Sequence, residues 1–185
     1  YTVDVIPDWK LAETASRYGL IVLPDWPATS TAARDALLDY VKRGGRLLVA
    51  GAANENLFGD VLPVERLGPA STQTGFIPGD EVFANVSGLW QSVRADKGSL
   101  LERYPTYDAR RDGLAAATVS ALGAGRIAAF YGPLGSVYAT THAAPLREIV
   151  RRLVEAVHQP LVRLEAPPVI EAALRRKGGR TLCTW

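Results

Sequence analysis

The chain has 185 residues, 48% of them hydrophobic and 22% charged, with a formal net charge of +2; that is the composition of an ordinary globular domain with room for one proper core. No apolar run approaches the ~20 residues of a membrane span, and so small a charge, with arginines scattered among acids, argues against a nucleic-acid binder, which concentrates basic residues on one face. A single cysteine, Cys183, excludes an internal disulfide framework and any zinc site built on cysteines.

Thr2 to Ile6 alternates around β-branched residues and stops at Pro7-Asp8-Trp9, which predicts a first strand. The chain opens on Tyr1, inside that strand, and holds no methionine; it reads as a piece of a longer polypeptide, and nothing in it indicates a compartment. Lys10 to Tyr18 is built of helix formers and fits a crossover. Leu20-Ile21-Val22-Leu23 is a continuous apolar run, as expected of a strand buried on both faces, and it too stops at Pro-Asp-Trp, residues 24–26. Ser30 is a good N-cap for the next helix, Ala33, Leu37, Tyr40 and Val41 share one face of it, and Gly44 sits where a left-handed stop is wanted. Arg46 to Ala50 is then a strand, so strand, helix and strand form a unit that implies parallel pairing and a right-handed crossover.

Residues 52–112 scatter Gly, Pro, Ser and Asp and predict only short strands and turns. Order returns at Ala115 to Ser120 and Arg126 to Tyr131, two strands about a turn at Leu122-Gly123-Ala124-Gly125, expected as a hairpin at the far edge of the sheet. Pro145 suits a first helical turn, and Leu146, Ile149, Val150, Leu153, Val154 and Val157 follow on one face. Beyond Pro167-Pro168 the pattern changes: Val169 to Arg175 and Thr181 to Trp185 flank a glycine turn and predict a β-hairpin. The expected division is an α/β domain over 1–160, then a linker and hairpin over 161–185 that begin a further β-domain.

Chemistry-bearing motifs are few. Gly123-Ala124-Gly125-Arg126-Ile127-Ala128 spells G-x-G-x-x-A, but the dinucleotide fingerprint needs its glycines after a strand and opening a helix, whereas these precede a strand and read as a tight turn. Asn85-Val86-Ser87 fits a glycosylation sequon of a kind that arises by chance. His142 and His158 are the only histidines, with no nucleophile evident for either to activate. The repeated Pro-Asp-Trp is more informative. Both copies follow predicted strands, which puts Asp8, Trp9, Asp25 and Trp26 on one sheet edge with Asn54, Glu55 and Phe58. Aromatic faces beside short polar groups suit a sugar, and large exposed rings equally suit a partner surface.

The stretches "YGLIVLPDW", "LLDYVKRGGRLLVAG", "GAGRIAAFYGPLGSVY" and "APLREIVRRLV" together resemble the class I glutamine amidotransferase-like fold, a flavodoxin-like parallel sheet with flanking helices. More narrowly, they are similar to its version in bacterial glycoside hydrolases, nearest to the trimerisation domain of family-42 β-galactosidases. The tail "APPVIEAALRRKGGRTL" is similar to the linker and first hairpin of the β-domain that follows there. The resemblance implies a cysteine nucleophile after the strand at Leu47–Ala50 and a late His-x-Glu pair. This chain has Gly51-Ala52-Ala53 at the first place, and Ala144 two residues after His142 at the second. No catalytic, cofactor or metal residues are therefore assigned. The reading is a non-catalytic domain of a larger glycoside hydrolase-like protein, used for assembly or for shaping an active site. Its expected partners are the other domains of the parent chain and further copies of itself, with no nucleic acid and no membrane. Two alternatives stay open: a carbohydrate- or small-molecule-binding domain, and a hydrolase using Asp8, Asp25 or Glu55.

Overall fold

A computed structural model describes residues 3–26, 29–108, 113–160, 173–177 and 180–184, the backbone alone for 54–56 and the last two segments. The central sheet is built from β1 (Ile21–Leu23), β2 (Arg46–Ala50), β7 (Leu101–Arg103), β8 (Leu114–Leu122) and β9 (Gly125–Phe130), in the order β1-β2-β9-β8-β7. β1, β2 and β9 are parallel, whereas β8 and β7 run antiparallel to their neighbours, so the sheet is mixed rather than the parallel one expected.

The unit β1, α2 (Thr31–Lys42), β2 forms as its sequence predicts. Ala33 N donates to Ser30 Oγ at 3.1 Å, and Gly44, at φ +107°, turns the chain out of α2. The buried Tyr40 hydroxyl accepts from Arg46 N at 3.1 Å and lies 3.0 Å from Tyr18 O, tying α2 to the starts of both strands; burial pushes that phenol's pKa up. Every residue of β9 from Ile127 to Phe130 is buried, as are Leu47, Leu48 and Val49 of β2. A strand pair buried this fully needs cover, and both α2 and α5 (Ala144–Val157) pack on β2 and β9. In α5, Leu146, Ile149, Leu153, Val154 and Val157 are buried as expected, with Pro145 in the first turn. Val150 is not: it stays 39% exposed.

Four further expectations need correction. Residues 3–7 form no strand, and Val3 and Val5 are 78% and 96% exposed. The expected crossover helix is α1 (Leu11–Thr14), four residues between 3-10 turns at Asp8–Lys10 and Ala15–Arg17. The β8–β9 hairpin is not at the sheet's edge, because β9 pairs with β2 and the edge belongs to β7. Residues 52–112 are far more regular than their composition suggests. They hold α3 (Ala52–Phe58), β3 (Val64–Arg66) paired with β6 (Val93–Ala95), and an eight-pair hairpin of β4 (Ser71–Pro78) with β5 (Phe83–Trp90). A fourth helix, α4 (Leu134–Thr141), precedes α5 and ends on His142 in the left-handed conformation, φ 49°. β10 (Ala173–Lys177) and β11 (Arg180–Thr184) pair antiparallel; the glycine turn expected between them lies outside the described residues.

The β4–β5 hairpin packs on the sheet through Trp90, fully buried, with its ring centroid 5.4 Å from that of Phe130 and Nε1 donating to Val86 O at 3.1 Å. Arg103 lies over the Trp90 ring, its Cζ 4.6 Å from the centroid, and donates to Gln73 Oε1 at 2.8 Å and Ser92 Oγ at 2.9 Å. This guanidinium is buried with neutral acceptors only, and burial lowers its pKa.

Two substitutions test the packing by urea denaturation. Leu153→Ala removes a fully buried side chain and is expected to cost ~2–5 kcal/mol. Gly125→Ala would put Cβ 2.1 Å from Val41 O and 2.4 Å from Gly45 O, backbone atoms that cannot swing aside. It is expected to cost at least ~2 kcal/mol, the overpacking range. A loss under ~0.5 kcal/mol in either variant, the scale of surface changes, would contradict the placement of α5 or of the β8–β9 turn.

Candidate functional site

Because β1, β2 and β9 are parallel, their carboxyl ends meet at one edge, the usual place for ligands in such sheets. Gly51 N donates to Phe130 O at 2.9 Å and closes the β2–β9 ladder there. The chain then turns directly into α3, with Ala52 buried at its first position. Gly51 has φ 116° and ψ 154°, a conformation that is essentially glycine's alone. Its missing side chain is replaced by a neighbour. A Cβ on Gly51 would lie 2.2 Å from Asp25 Cγ, so the Asp25 carboxyl, from the loop after β1, rests against the Gly51 backbone. A strand–turn–helix is present, and at Gly51 its turn leaves no space for a side chain beside Asp25.

The structure brings Asp25 and Gly51 together but does not gather the whole expected set. Asp8 and Trp9 follow no strand; they open the 3-10 turn before α1, where Asp8 Oδ1 accepts from Trp9 N at 2.9 Å. Trp9 is 78% exposed and Trp26 57% exposed. Among the described residues, no hydrogen bond, ion pair or ring contact joins Asp8 or Trp9 to Asp25 or Trp26. Asn54 and Glu55 lie in α3, one turn from Gly51, described by backbone alone. Phe58 is fully buried and belongs to the core instead of the edge, since the helix after Gly51 is pinned by it. His142 caps α4, its amide donating to Tyr138 O at 2.8 Å and its ring meeting Tyr138 edge-on at 5.7 Å.

Sequence reasoning missed Arg34, which fixes the far end of α3. From the first turn of α2 it donates through Nε to Leu57 O at 2.7 Å and through Nη2 to both carboxylate oxygens of Asp60, at 2.5 and 2.6 Å. Its hydrogen bonds hold the Asp60 carboxyl below the usual carboxylate range. No spacing rule links positions 34, 57 and 60, so only the fold reveals the clamp. It also missed a cleft of about 450 Å³ at the opposite edge, where β2 and β9 begin, lined by Arg46, Arg126, Glu155 and His158 among others. Among the described residues, no group of three or more His, Cys, Asp or Glu could hold a metal ion, and no helix is long and apolar enough to cross a membrane.

If the Gly51 turn excludes side chains as its geometry indicates, Gly51→Ala lowers stability by ~1–3 kcal/mol, the cost of holding a non-glycine residue in that region. Adding Asp25→Ala restores only the steric part of the loss, because the backbone strain remains. A neutral Gly51→Ala variant would show that the turn tolerates a side chain.

Comparison with known proteins supplies fold relatives only. No family model matches the sequence, and no curated protein matches it. Among solved structures, 94% of the chain superposes on 27% of the β-galactosidase from Bacillus circulans sp. alkalophilus, at 18% identity and a TM-score of 0.61. It likewise covers 25% of Gan42B, a GH42 β-galactosidase from G. stearothermophilus, at 14% identity and a TM-score of 0.62. A third structure, the cytoplasmic protein STM1381 from Salmonella typhimurium LT2, is matched over 82% of its own length at 16% identity and a TM-score of 0.63. The chain thus spans about a quarter of the β-galactosidases and most of the smaller protein.

Proposed function

We propose that the chain is a non-catalytic accessory domain of a larger bacterial glycoside hydrolase-like protein, built on a glutamine amidotransferase-like, flavodoxin-like fold. In this reading residues 1–160 form that domain and 161–185 lead into a following β-domain. Its work is assembly: packing against the parent's other domains, and trimerisation of the kind the resemblance implies. The observation that carries the proposal is the Gly51 turn. At Gly51 the backbone geometry and the Asp25 carboxyl leave no space for a side chain, and the next two residues are Ala52 and Ala53, so thioester chemistry has no starting group there. The superposition on one quarter of two β-galactosidase chains supports the same reading. So does the surface: Val3, Val5, Trp9, Val22 and Trp26, all large and apolar, are between 52% and 96% exposed. Aromatic anchors dominate interface energetics when buried, and large apolar side chains this exposed suit contact with a partner.

Carbohydrate binding at Trp26, with Asp25 supplying polar contacts, is the second reading, favoured by an exposed ring beside an exposed carboxylate. The two separate on one variant. Trp26→Ala is expected to lower oligomer mass by light scattering, or to weaken association with the rest of the parent polypeptide. The melting temperature should not move, because the ring is mostly outside the core. The isolated chain is expected to release no ammonia from glutamine and to hydrolyse no aryl glycoside. Unchanged assembly with lost oligosaccharide affinity would replace the assembly reading by the sugar site. Glycoside hydrolysis abolished by Asp25→Asn would make the domain an enzyme.

A further inference from the structure

Arg46 opens β2, Arg126 lies at the start of β9, and the two are register partners in a parallel pair. Partners in register project to the same face from strands ~4.8 Å apart. The two guanidinium stems therefore stand side by side in the cleft at the sheet's amino edge, beside the last turn of α5. Like charges set directly opposite are destabilising, and a carboxylate between them would be the ordinary remedy. Among the described residues there is none. Arg46 Nη1 donates to the carbonyls of Gly44 at 2.6 Å, Gly45 at 3.2 Å and Ala124 at 3.4 Å, all neutral. Arg126 is exposed, and its side chain meets no partner among the described residues. Glu155, the acid among the lining residues, is bonded to Arg151 at 2.6 Å. The carboxyl end of α5 brings partial negative charge to this edge, but its Val154 carbonyl is already met by His158 N at 2.8 Å. Two guanidinium charges remain uncompensated, with the His158 imidazole at the rim.

We propose that this cleft binds a phosphomonoester, held by Arg46 and Arg126 together. A carboxylate offers two oxygens, which a single guanidinium fork can satisfy. A phosphomonoester dianion offers three and can accept from both forks at once, which is what two arginines on adjacent strands provide. The volume, about 450 Å³, lies within the ~300–1,000 Å³ of small-molecule sites and leaves space for an organic substituent.

The test is calorimetric titration of the full chain with inorganic phosphate and with O-phosphoserine at fixed ionic strength, and with succinate as a carboxylate control. Both phosphates are expected to bind saturably at one site, and succinate more weakly. Arg126→Gln should weaken phosphate binding about tenfold or more, the scale of a lost charge-assisted pair. It should leave the unliganded melting temperature unchanged or raised, because the like-charge opposition is relieved. Arg94→Gln is the control: that guanidinium pairs with Glu65 at 2.7 Å between β6 and β3, and its loss should leave phosphate binding intact. Arg46→Gln also removes three carbonyl contacts, so the decision rests on Arg126. Phosphate heats no different from chloride, equal loss in the Arg94 variant, tighter binding of succinate, or a melting temperature lowered by Arg126→Gln would each overturn the proposal.

Discussion

The parallel pairing of β2 with β9 depends on two glycine turns meeting backbone to backbone. The turn that ends α2 and starts β2, Gly44-Gly45, lies against the turn between β8 and β9, Gly123-Ala124. Ala124 N donates to Lys42 O at 3.0 Å and Arg126 N to Gly45 O at 3.3 Å. The second turn thereby satisfies a carbonyl that the end of a helix leaves open. Gly125 takes part because nothing larger than hydrogen fits between it and the carbonyls of Val41 and Gly45. Once this contact is made, the end of α2 and the starts of β2 and β9 are fixed relative to one another. Everything at the other end of the sheet inherits that register, including the bond from Gly51 N to Phe130 O.

A second constraint holds the irregular half of the chain to the sheet. Trp90 is buried between the β4–β5 hairpin and β9, with Phe130 beside it and Arg103 over its ring. A desolvated guanidinium over an indole gains ~2 kcal/mol or more, which offsets part of the cost of burying a charge among neutral acceptors. The hairpin is also stitched to the chain after β7, where Phe76 and Tyr104 exchange both backbone hydrogen bonds at 2.9 Å. These contacts explain why an eight-pair hairpin persists on the flank of a five-stranded sheet.

How much of this was legible depends on whether the information was local. The βαβ unit was, because Ser30, Gly44 and the 3.6-residue spacing from Ala33 to Val41 are local signals. So was α5, apart from Val150 at the margin of its apolar face. The strand expected at Thr2–Ile6 failed because alternation describes a half-buried face and supplies no hydrogen-bonding neighbour. The β4–β5 hairpin was missed for the opposite reason. Gly75 and Gly88 read as breakers, yet Gly75 is small because Trp90 and Arg103 press on it, within 3.0 and 3.1 Å of where a Cβ would stand. Arg103 itself gave no sign: Leu-Glu-Arg-Tyr looks like any exposed strand end. At the candidate edge, Asp25 follows β1 and lies against Gly51, whereas Phe58 is not exposed there, because a short helix after Gly51 turns it into the core.

The two edges of the sheet differ in kind because helices in an α/β unit run antiparallel to the strands they connect. At the carboxyl edge the chain passes from β2 into α3 through a single turn. That turn is held by a glycine in a conformation no other residue adopts cheaply, with a carboxyl group from the next loop filling the space. Placing a larger side chain at Gly51 takes more than one substitution, since the backbone and the Asp25 contact would both have to change. At the amino edge the turns that lead into β2 and β9 present carbonyls, which an arginine fork is suited to meet. Arg46 does so three times over. Arg126, set beside it by the register of β2 and β9, has no carbonyl to meet among the described residues, so neutral turn carbonyls hold one guanidinium in place and neither charge meets an opposite one.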